Sequence, residues 1–374
     1  MSLEKNNKGY EGFLDLVVRR VYDDLKTVFE QLEKEAIAIS PLLGDMIYIA
    51  KDYTLRGGKR LRAFLIFLGY NSKQWKIEDL DKILPIMSGI ELLQSYLLIH
   101  DDIMDKDEKR RGGPTVHVWF KSQCLLGERY INSKECQHYG ISQAITTGDY
   151  LEAMAVGMLA KAKIPSDALA DLIATYSSGL RKVAFGQYLD VLFSQVPLNN
   201  IDEDDIILIH QLKTASYTVE LPLHLGAIAS TKYNKKLLEE LSNYALSAGI
   251  AFQLRDDIIG LYGDPRLTGK PIGSDVRSKK KTLLIVKAYK LADENTKNKL
   301  KYIYDVMDPF EISDDHIKFV QDIVKETGSL SYNEAVIDKY VEKALTALEE
   351  SREICDETKE VLKWLTNKLA YRDK

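Results

Sequence analysis

The chain is short of cysteine, tryptophan and proline, with three, three and nine among 374 residues. Cys124, Cys136 and Cys355 are odd in number and show no paired spacing. That pattern points to reduced thiols and a reducing compartment rather than to a disulfide framework or a zinc site. A surplus of positive charge is also missing, since the formal net charge is -5. General binding to nucleic acid or to an anionic membrane needs a basic surface and is excluded on that ground. Any anion must be held by local clusters. No run of about 18 uninterrupted apolar residues occurs, so no transmembrane segment is expected. Met1 to Tyr10 is polar and carries no apolar stretch of signal-peptide length, which makes a cytoplasmic location the expectation. Period-two patterns bounded by turn residues are scarce and no fixed repeat is present, which argues against sheets and solenoids.

Apolar residues at helical spacing are plentiful. They make up 45% of the chain, enough for a substantial core. Leu14, Val17, Val18, Val21, Leu25, Val28, Phe29 and Leu32 recur at steps of three and four, the signature of an amphipathic helix. Similar periodicity predicts helices around 43–53, 60–73, 81–106, 142–162, 167–195, 203–229, 234–262, 278–292, 313–327 and 333–370. Pro165-Ser166-Asp167 is a helix start and Val196-Pro197 a stop. The expected fold is an all-α bundle formed by a single domain over 1–374. Residues 121–140 mix polar, aromatic and cysteine residues without a period, and are expected to be a surface loop or insertion.

Two acidic clusters stand out. Ile90, Gln94, Leu97, Asp101 and Asp105 share one stripe of the 81–106 helix, which begins apolar and ends in carboxylates. With Asp102 adjacent, several negative charges meet at a helix end, which is costly without a cation. Magnesium suits such a place, because it takes a few carboxylates, keeps waters and completes its shell with substrate phosphates. Alone, DDIMD would more often be merely a solvated helix end, so one copy is a weak signal. A second cluster, Asp256-Asp257, lies on another predicted helix, where Gln253, Asp257 and Gly260 share a stripe.

Basic clusters accompany them. Gly57-Gly58-Lys59-Arg60-Leu61-Arg62 joins a flexible turn to cations at a helix start, where amides and the dipole favour phosphate. Arg110-Arg111-Gly112-Gly113 follows the first acidic cluster, and arginine suits bidentate phosphate contact. Lys213-Thr214, Lys270 and Lys280-Lys281-Thr282 are further candidates. Taken singly, each is compatible with an ordinary surface charge.

In order, the motifs GGKRLR, ELLQSYLLIHDDIMDKDEKRRGGPTVH, GQYLD, KTASYTVELP, FQLRDDIIGLYGD and GKPIGSDVRSKKKTL give a chain that resembles the trans-prenyl diphosphate synthases, the farnesyl and geranylgeranyl diphosphate synthases, over roughly 55–285. The resemblance implies an isoprenoid-synthase-type bundle of about ten core helices around a central cavity. It further implies a homodimer, diphosphate substrates and a magnesium cluster held by both acidic motifs. By position, Asp101, Asp105 and Asp256 would ligate the metal, supported by Asp102, Asp257, Gln187 and Asp190. Arg110, Lys213, Thr214, Gln253 and Lys270 would take the allylic diphosphate, and Gly58, Lys59, Arg62, Gln94 and Arg111 isopentenyl diphosphate. Many farnesyl synthases carry a further aspartate where Gly260 stands. Tyr96 and Leu97 lie about a turn before the first motif and are expected to set product length; only one being aromatic, both C15 and C20 products are expected. A terpene cyclase would not need the isopentenyl site, and a non-catalytic regulatory subunit should have lost its acidic or basic clusters. A helical metal phosphohydrolase would need a histidine upstream of His100, and there is none.

Overall fold

The computed structural model describes residues 7–76, 79–127, 133–263 and 273–372. The chain divides into two compact units: one takes residues to Tyr70, Lys76–Ile173 and Leu225–Thr231, the other Asn71–Trp75, Ala174–His224 and Lys232 onward. Among the described residues the only strands are Lys109–Arg110 and Gly113–Pro114, paired as a hairpin. The fold is all-α, as expected.

The first unit contains α1 (Asn7–Ile39), α2 (Gly44–Leu55), α3 (Leu61–Tyr70), α4 (Leu80–Met104), α5 (Val116–Leu126), α6 (Cys136–Ala160) and the start of α7 (Ser166–Gln195). On α1 the predicted stripe Val17, Val21, Leu25 and Phe29 is fully buried. Phe13 sets its ring 4.7 Å from Phe67 and 5.9 Å from Phe64 of α3. Helix α4 is long and apolar enough by length and composition to cross a membrane, although no uninterrupted apolar run exists. Its most apolar stretch is 61% buried inside the protein, the burial of a core helix.

Two expectations fail in this unit. Cys124 and Cys136 are not reduced thiols but form a disulfide, with Cα atoms 5.5 Å apart. Each is buried where α5 packs on α6, so the pairing follows from helix packing rather than from sequence spacing. The thiol argument for a reducing compartment falls with it. The segment 121–140 is not simply a loop, because 121–126 complete α5 and 136–140 begin α6, while 128–132 lie outside the described residues. The helical period is hidden by small residues at the contact: a Cβ on Gly140 would lie 2.3 Å from the His117 carbonyl oxygen.

The second unit holds most of α7, then α8 (Glu203–Ile209), a π-helical segment (His210–Glu220) running into the first turn of α9 (Leu221–Ala229), whose remainder belongs to the first unit, and α10 (Lys235–Tyr262). Five longer helices follow: Leu283–Leu291, Glu294–Lys301, Asp314–Glu326, Ser329–Glu350 and Asp356–Ala370. Asn234 caps α10 by accepting the Leu237 N–H at 2.7 Å. Leu254, Ile258 and Leu261 of α10 pack in one core with Val276, Leu283 and Leu284. The expected single helix over 333–370 breaks at Ser351–Cys355. There the Glu240 carboxylate accepts the Ser351 hydroxyl and the Arg352 and Glu353 N–H groups, satisfying backbone that would otherwise continue the helix.

The disulfide is checked by thiol titration of the denatured protein. One reactive thiol, Cys355, is expected before reduction and three after; three before reduction would remove the bridge.

Candidate active site

In the first unit the acidic motif occupies the last turn of α4, with Asp105 as its C-cap. Asp102 is fully buried and paired on both oxygens. The Tyr53 hydroxyl of α2 donates to Oδ2 at 2.6 Å, and Arg110 Nε donates to Oδ1. Burial pushes the Asp102 carboxyl up to about 6, while the Arg110 guanidinium and the Tyr53 hydrogen bond pull it down. Arg110 Nη2 also stands 3.2 Å from Asp107 and 3.6 Å from Asp101. Burial opposes the charge on Arg110, yet Asp102 holds its pKa above the usual arginine value. Asp102 is therefore an anchor that fixes Arg110, and Asp101 and Asp105 are the carboxylates toward the helix end.

The hairpin behind Arg110 explains the RRGG run. Arg111 and Gly112 both have positive φ, 50° and 76°, which matches the two central positions of a tight hairpin turn. Arg56 Nη1 donates to the Pro114 carbonyl at 2.6 Å, and a Cβ on Gly113 would lie 2.4 Å from that guanidinium. Arg111 Nη1 lies 3.4 Å from both the Arg56 and the Gly57 carbonyl oxygens. A Cβ on Gly58 would come within 3.2 Å of the Arg111 guanidinium, so the glycine lets backbone and arginine approach. Gly58, Lys59 and Arg111 are thus brought together. Arg60, inside the same basic run, turns inward: it pairs with Glu91 at 3.0 Å and donates to the Thr54 carbonyl at 2.6 Å, both partners buried. Lys59 is exposed, and Arg62 and Gln94 are half-buried on α3 and α4. Tyr96 packs edge-on against His100, centroids 4.7 Å apart, and Leu97 beside it is half-buried.

In the second unit Asp257 of α10 is the buried anchor. Its Oδ1 accepts from Gln253 Nε2 at 2.9 Å and lies 3.2 Å from Lys280 Nζ, and its Oδ2 lies 3.0 Å from His210 Nε2. Burial raises the Asp257 pKa, but Lys280 and His210 overcome it and hold the carboxyl well below the usual carboxylate range. Thr214 Oγ1 donates to Gln253 Oε1 at 2.8 Å, so Thr214, Gln253 and Asp257 form one hydrogen-bonded row. Lys213 Nζ donates to Asp190 at 2.5 Å. Asp190, Lys213, Thr214 and Gln253 line a cavity of about 40 Å³ with His210 and Lys280, room for a few waters and less than a diphosphate needs. Gln187 lies three residues before Asp190 on α7.

The π-helical geometry of His210–Glu220 presents Lys213 and Thr214, and such segments recur at functional sites. Two glycines clasp it. A Cβ on Gly186 of α7 would lie 2.3 Å from the Lys213 nitrogen, and one on Gly249 of α10 would lie 2.5 Å from Ala215 Cα. The glycine of GQYLD is there for close backbone approach.

Asp256 pairs with Arg372, whose carbonyl accepts Arg255 Nε at 2.7 Å and whose guanidinium lies 4.5 Å from the Phe252 ring centroid. Burial, reinforced by Arg255, lowers the Arg372 pKa to about 10. Lys281, next to Lys280, points elsewhere: it donates to the carbonyls of Phe193, Ser194 and Val196 at the end of α7. Lys270 lies outside the described residues. Tyr53 and His210 were not expected from the sequence, being single residues far in sequence from the carboxylates they touch, and the sequence alone leaves open whether the C-terminal Arg372 closes over the site.

Among the described residues no three carboxylate, histidine or cysteine side chains converge as a ready-made metal cage. Magnesium does not require one, since it takes one or two carboxylates and completes its shell with water and phosphate oxygen. Asp101 and Asp105 at one turn's spacing on α4, and Asp256 already neutralised by a cation, fit that requirement.

A family profile described as polyprenyl synthetase matches residues 45–324. The chain is 33% identical over 321 residues to a geranylfarnesyl diphosphate synthase of Aeropyrum pernix, covering 85% of this chain and 91% of that one. It is 32% identical over 278 residues to a farnesyl diphosphate synthase of Haemophilus influenzae, covering 72% and 82%. A crystal structure of geranylgeranyl pyrophosphate synthase from Corynebacterium glutamicum, complexed with isoprenyl diphosphate and magnesium, superposes with a TM-score of 0.88 at 29% identity, covering 96% and 99%. The chain belongs to the polyprenyl synthetase family, the trans-prenyl diphosphate synthases, and has their all-α isoprenoid synthase fold. It is a prenyltransferase.

Replacing Arg60 separates anchor from ligand. Arg60→Leu leaves Glu91 buried and uncompensated and should lose about 3–5 kcal/mol in urea unfolding. Lys59→Ala, at an exposed position, should stay within about 0.5 kcal/mol. Equal midpoints for the two variants would contradict the inward assignment of Arg60.

Proposed function

We propose that this prenyltransferase condenses isopentenyl diphosphate with allylic diphosphates to give farnesyl and geranylgeranyl diphosphate, with magnesium as its cofactor. The observation that carries the reading is the pair of anchored acidic ends, Asp102 with Arg110 and Asp257 with Lys280, each beside carboxylates at a helix end or cation-paired. When bound, magnesium would be held by Asp101, Asp105 and Asp256 and would withdraw charge from the allylic diphosphate. Arg110, Lys213 and Lys280 hold the same diphosphate and stabilise the negative charge that develops on it. Thr214 and Gln253 orient it, with Gln187 and Asp190 in support, and Lys270 belongs to this set by motif. The allylic carbon–oxygen bond breaks with its electron pair leaving on diphosphate. The isopentenyl double bond, positioned by Gly58, Lys59, Arg62, Gln94 and Arg111, forms the new carbon–carbon bond. A proton is then lost to the departing diphosphate. No protein nucleophile is needed.

Product length belongs to the same proposal. The relatives' names span C15, C20 and C25 products, so the reading rests on this chain's own Tyr96 and Leu97. The stack of Tyr96 on His100 supports an aromatic floor on one side, with the smaller Leu97 leaving depth. A homodimer is part of the proposal as well. Phe185, Tyr188 and Leu192 form an exposed apolar stripe on α7 that a second copy would cover. A cytoplasmic location is also proposed, since both substrates are water-soluble anions.

The test is an incubation with magnesium, dimethylallyl diphosphate and isopentenyl diphosphate, with products resolved by chain length. Wild type should release diphosphate and yield C15 and C20 products. Leu97→Phe should shift output toward C15. Absence of diphosphate release from wild type would end the reading, and unchanged C20 output from Leu97→Phe would end the product-length part alone.

A further inference from the structure

Tyr96 and His100 stand one turn apart on a single face of α4, and one face of α6, carrying Ile145, Gly148, Asp149 and Glu152, lies against them. The contact is tight. His100 Nε2 donates to the Ile145 carbonyl at 3.3 Å and stands 3.7 Å from the Asp149 carboxylate. A Cβ built on Gly148 would lie 2.6 Å from His100 Nε2, 2.7 Å from its Cδ2 and 3.4 Å from Tyr96 Cδ2. The first two separations are too short for a real side chain, so the bare backbone of Gly148 is what lets the imidazole lie flat on α6.

Tyr96 leans edge-on against that imidazole, with ring centroids 4.7 Å apart. Burial raises the pKa of its hydroxyl first, and Asp149 and Glu152 add to the rise, so the hydroxyl also lies toward α6. The consequence is directional. Gly148 is buried in the interior of α6, where the helix backbone cannot give way, whereas the imidazole is the free end of a side chain. A methyl group at 148 would therefore drive His100 off the Ile145 carbonyl and into Tyr96. The tyrosine ring would move with it, away from α6 and across the depth that Leu97 leaves open.

We propose that Gly148 is a specificity-determining residue for product length, acting through His100 to hold the Tyr96 ring back against α6. The inference rests on the product-length reading above and adds to it a residue from a second helix. His100 is the positioning residue between them, because it touches both the glycine backbone and the tyrosine ring.

The test is chromatography of the products that the full-length protein makes from dimethylallyl and isopentenyl diphosphates with magnesium, alongside the rate of the first condensation and the unfolding midpoint. Gly148→Ala should lower the ratio of C20 to C15 product about tenfold, the discrimination that one methylene-sized group gives in an apolar pocket. The first condensation and the midpoint should hold, since alanine suits a helix interior better than glycine. His100→Ala removes the ring on which Tyr96 leans and should raise the ratio. In that background Gly148→Ala should change the ratio no further, because the atoms that its Cβ meets are gone. An unchanged ratio in Gly148→Ala, or an equal fall in every condensation with the ratio preserved, would make the glycine a packing residue and overturn the proposal. A shift of the same size with and without His100 would overturn it too. Leu97→Phe separates this inference from the reading beneath it. If that variant shifts the ratio and Gly148→Ala does not, only the assignment of Gly148 falls. If wild type makes no condensation product, the synthase reading itself falls.

Discussion

Carboxylates crowded at a helix end repel one another, and this repulsion sets the terms in each unit. Each unit meets it in the same way, by burying one aspartate among fixed partners. Asp102 is held by Tyr53 and Arg110, and Asp257 by Lys280, His210 and Gln253. Neutralised in this way, the anchors determine where the neighbouring carboxylates stand. Removing a partner would leave a buried charge uncompensated, which costs far more than an exposed ion pair contributes. The hairpin with its two positive-φ residues exists to bring Arg110 back onto α4, and the turn before Leu283 brings Lys280 onto α10.

The basic residues divide into two kinds that sequence order mixes together. Arg60 and Lys281 lie next to cations proposed to meet substrate, yet one closes a buried pair with Glu91 and the other caps α7. Lys59, Arg111, Lys213 and Lys280 are the cations of that proposal. Lys213 is meanwhile matched to Asp190, and Asp256 to Arg372. Both ion pairs close within the second unit, and in the proposed reaction an arriving diphosphate with its metal ions would exchange one set of ion pairs for another.

Much of this was legible in the sequence because helical periodicity is a strong local signal. The stripes on α1, α4 and α10 fall where the apolar residues place them, and the acidic motifs end those stripes as spacing requires. What stayed hidden depends on distant partners. The break at Ser351 is caused by Glu240, more than a hundred residues earlier, and the Cys124–Cys136 bridge by the packing of α5 on α6. The π-helical stretch has an ordinary side-chain pattern, and the close backbone approach at Gly186 and Gly249 that accompanies it joins elements distant in sequence. Motif order found Asp102 and Asp257 but ranked them as supporting groups, without the burial that makes them anchors. Tyr53 and His210 carry no local mark at all.

The central proposal is that in each unit a buried, cation-paired aspartate positions the carboxylates beside it to hold metal for a diphosphate. A crystal structure with manganese and an unreactive allylic thiolodiphosphate, with the metal located by anomalous scattering, tests it most directly. Manganese on Asp101 and Asp105 and on Asp256, bound to diphosphate oxygens, is the predicted result. Manganese and diphosphate bound away from these carboxylates would contradict the account.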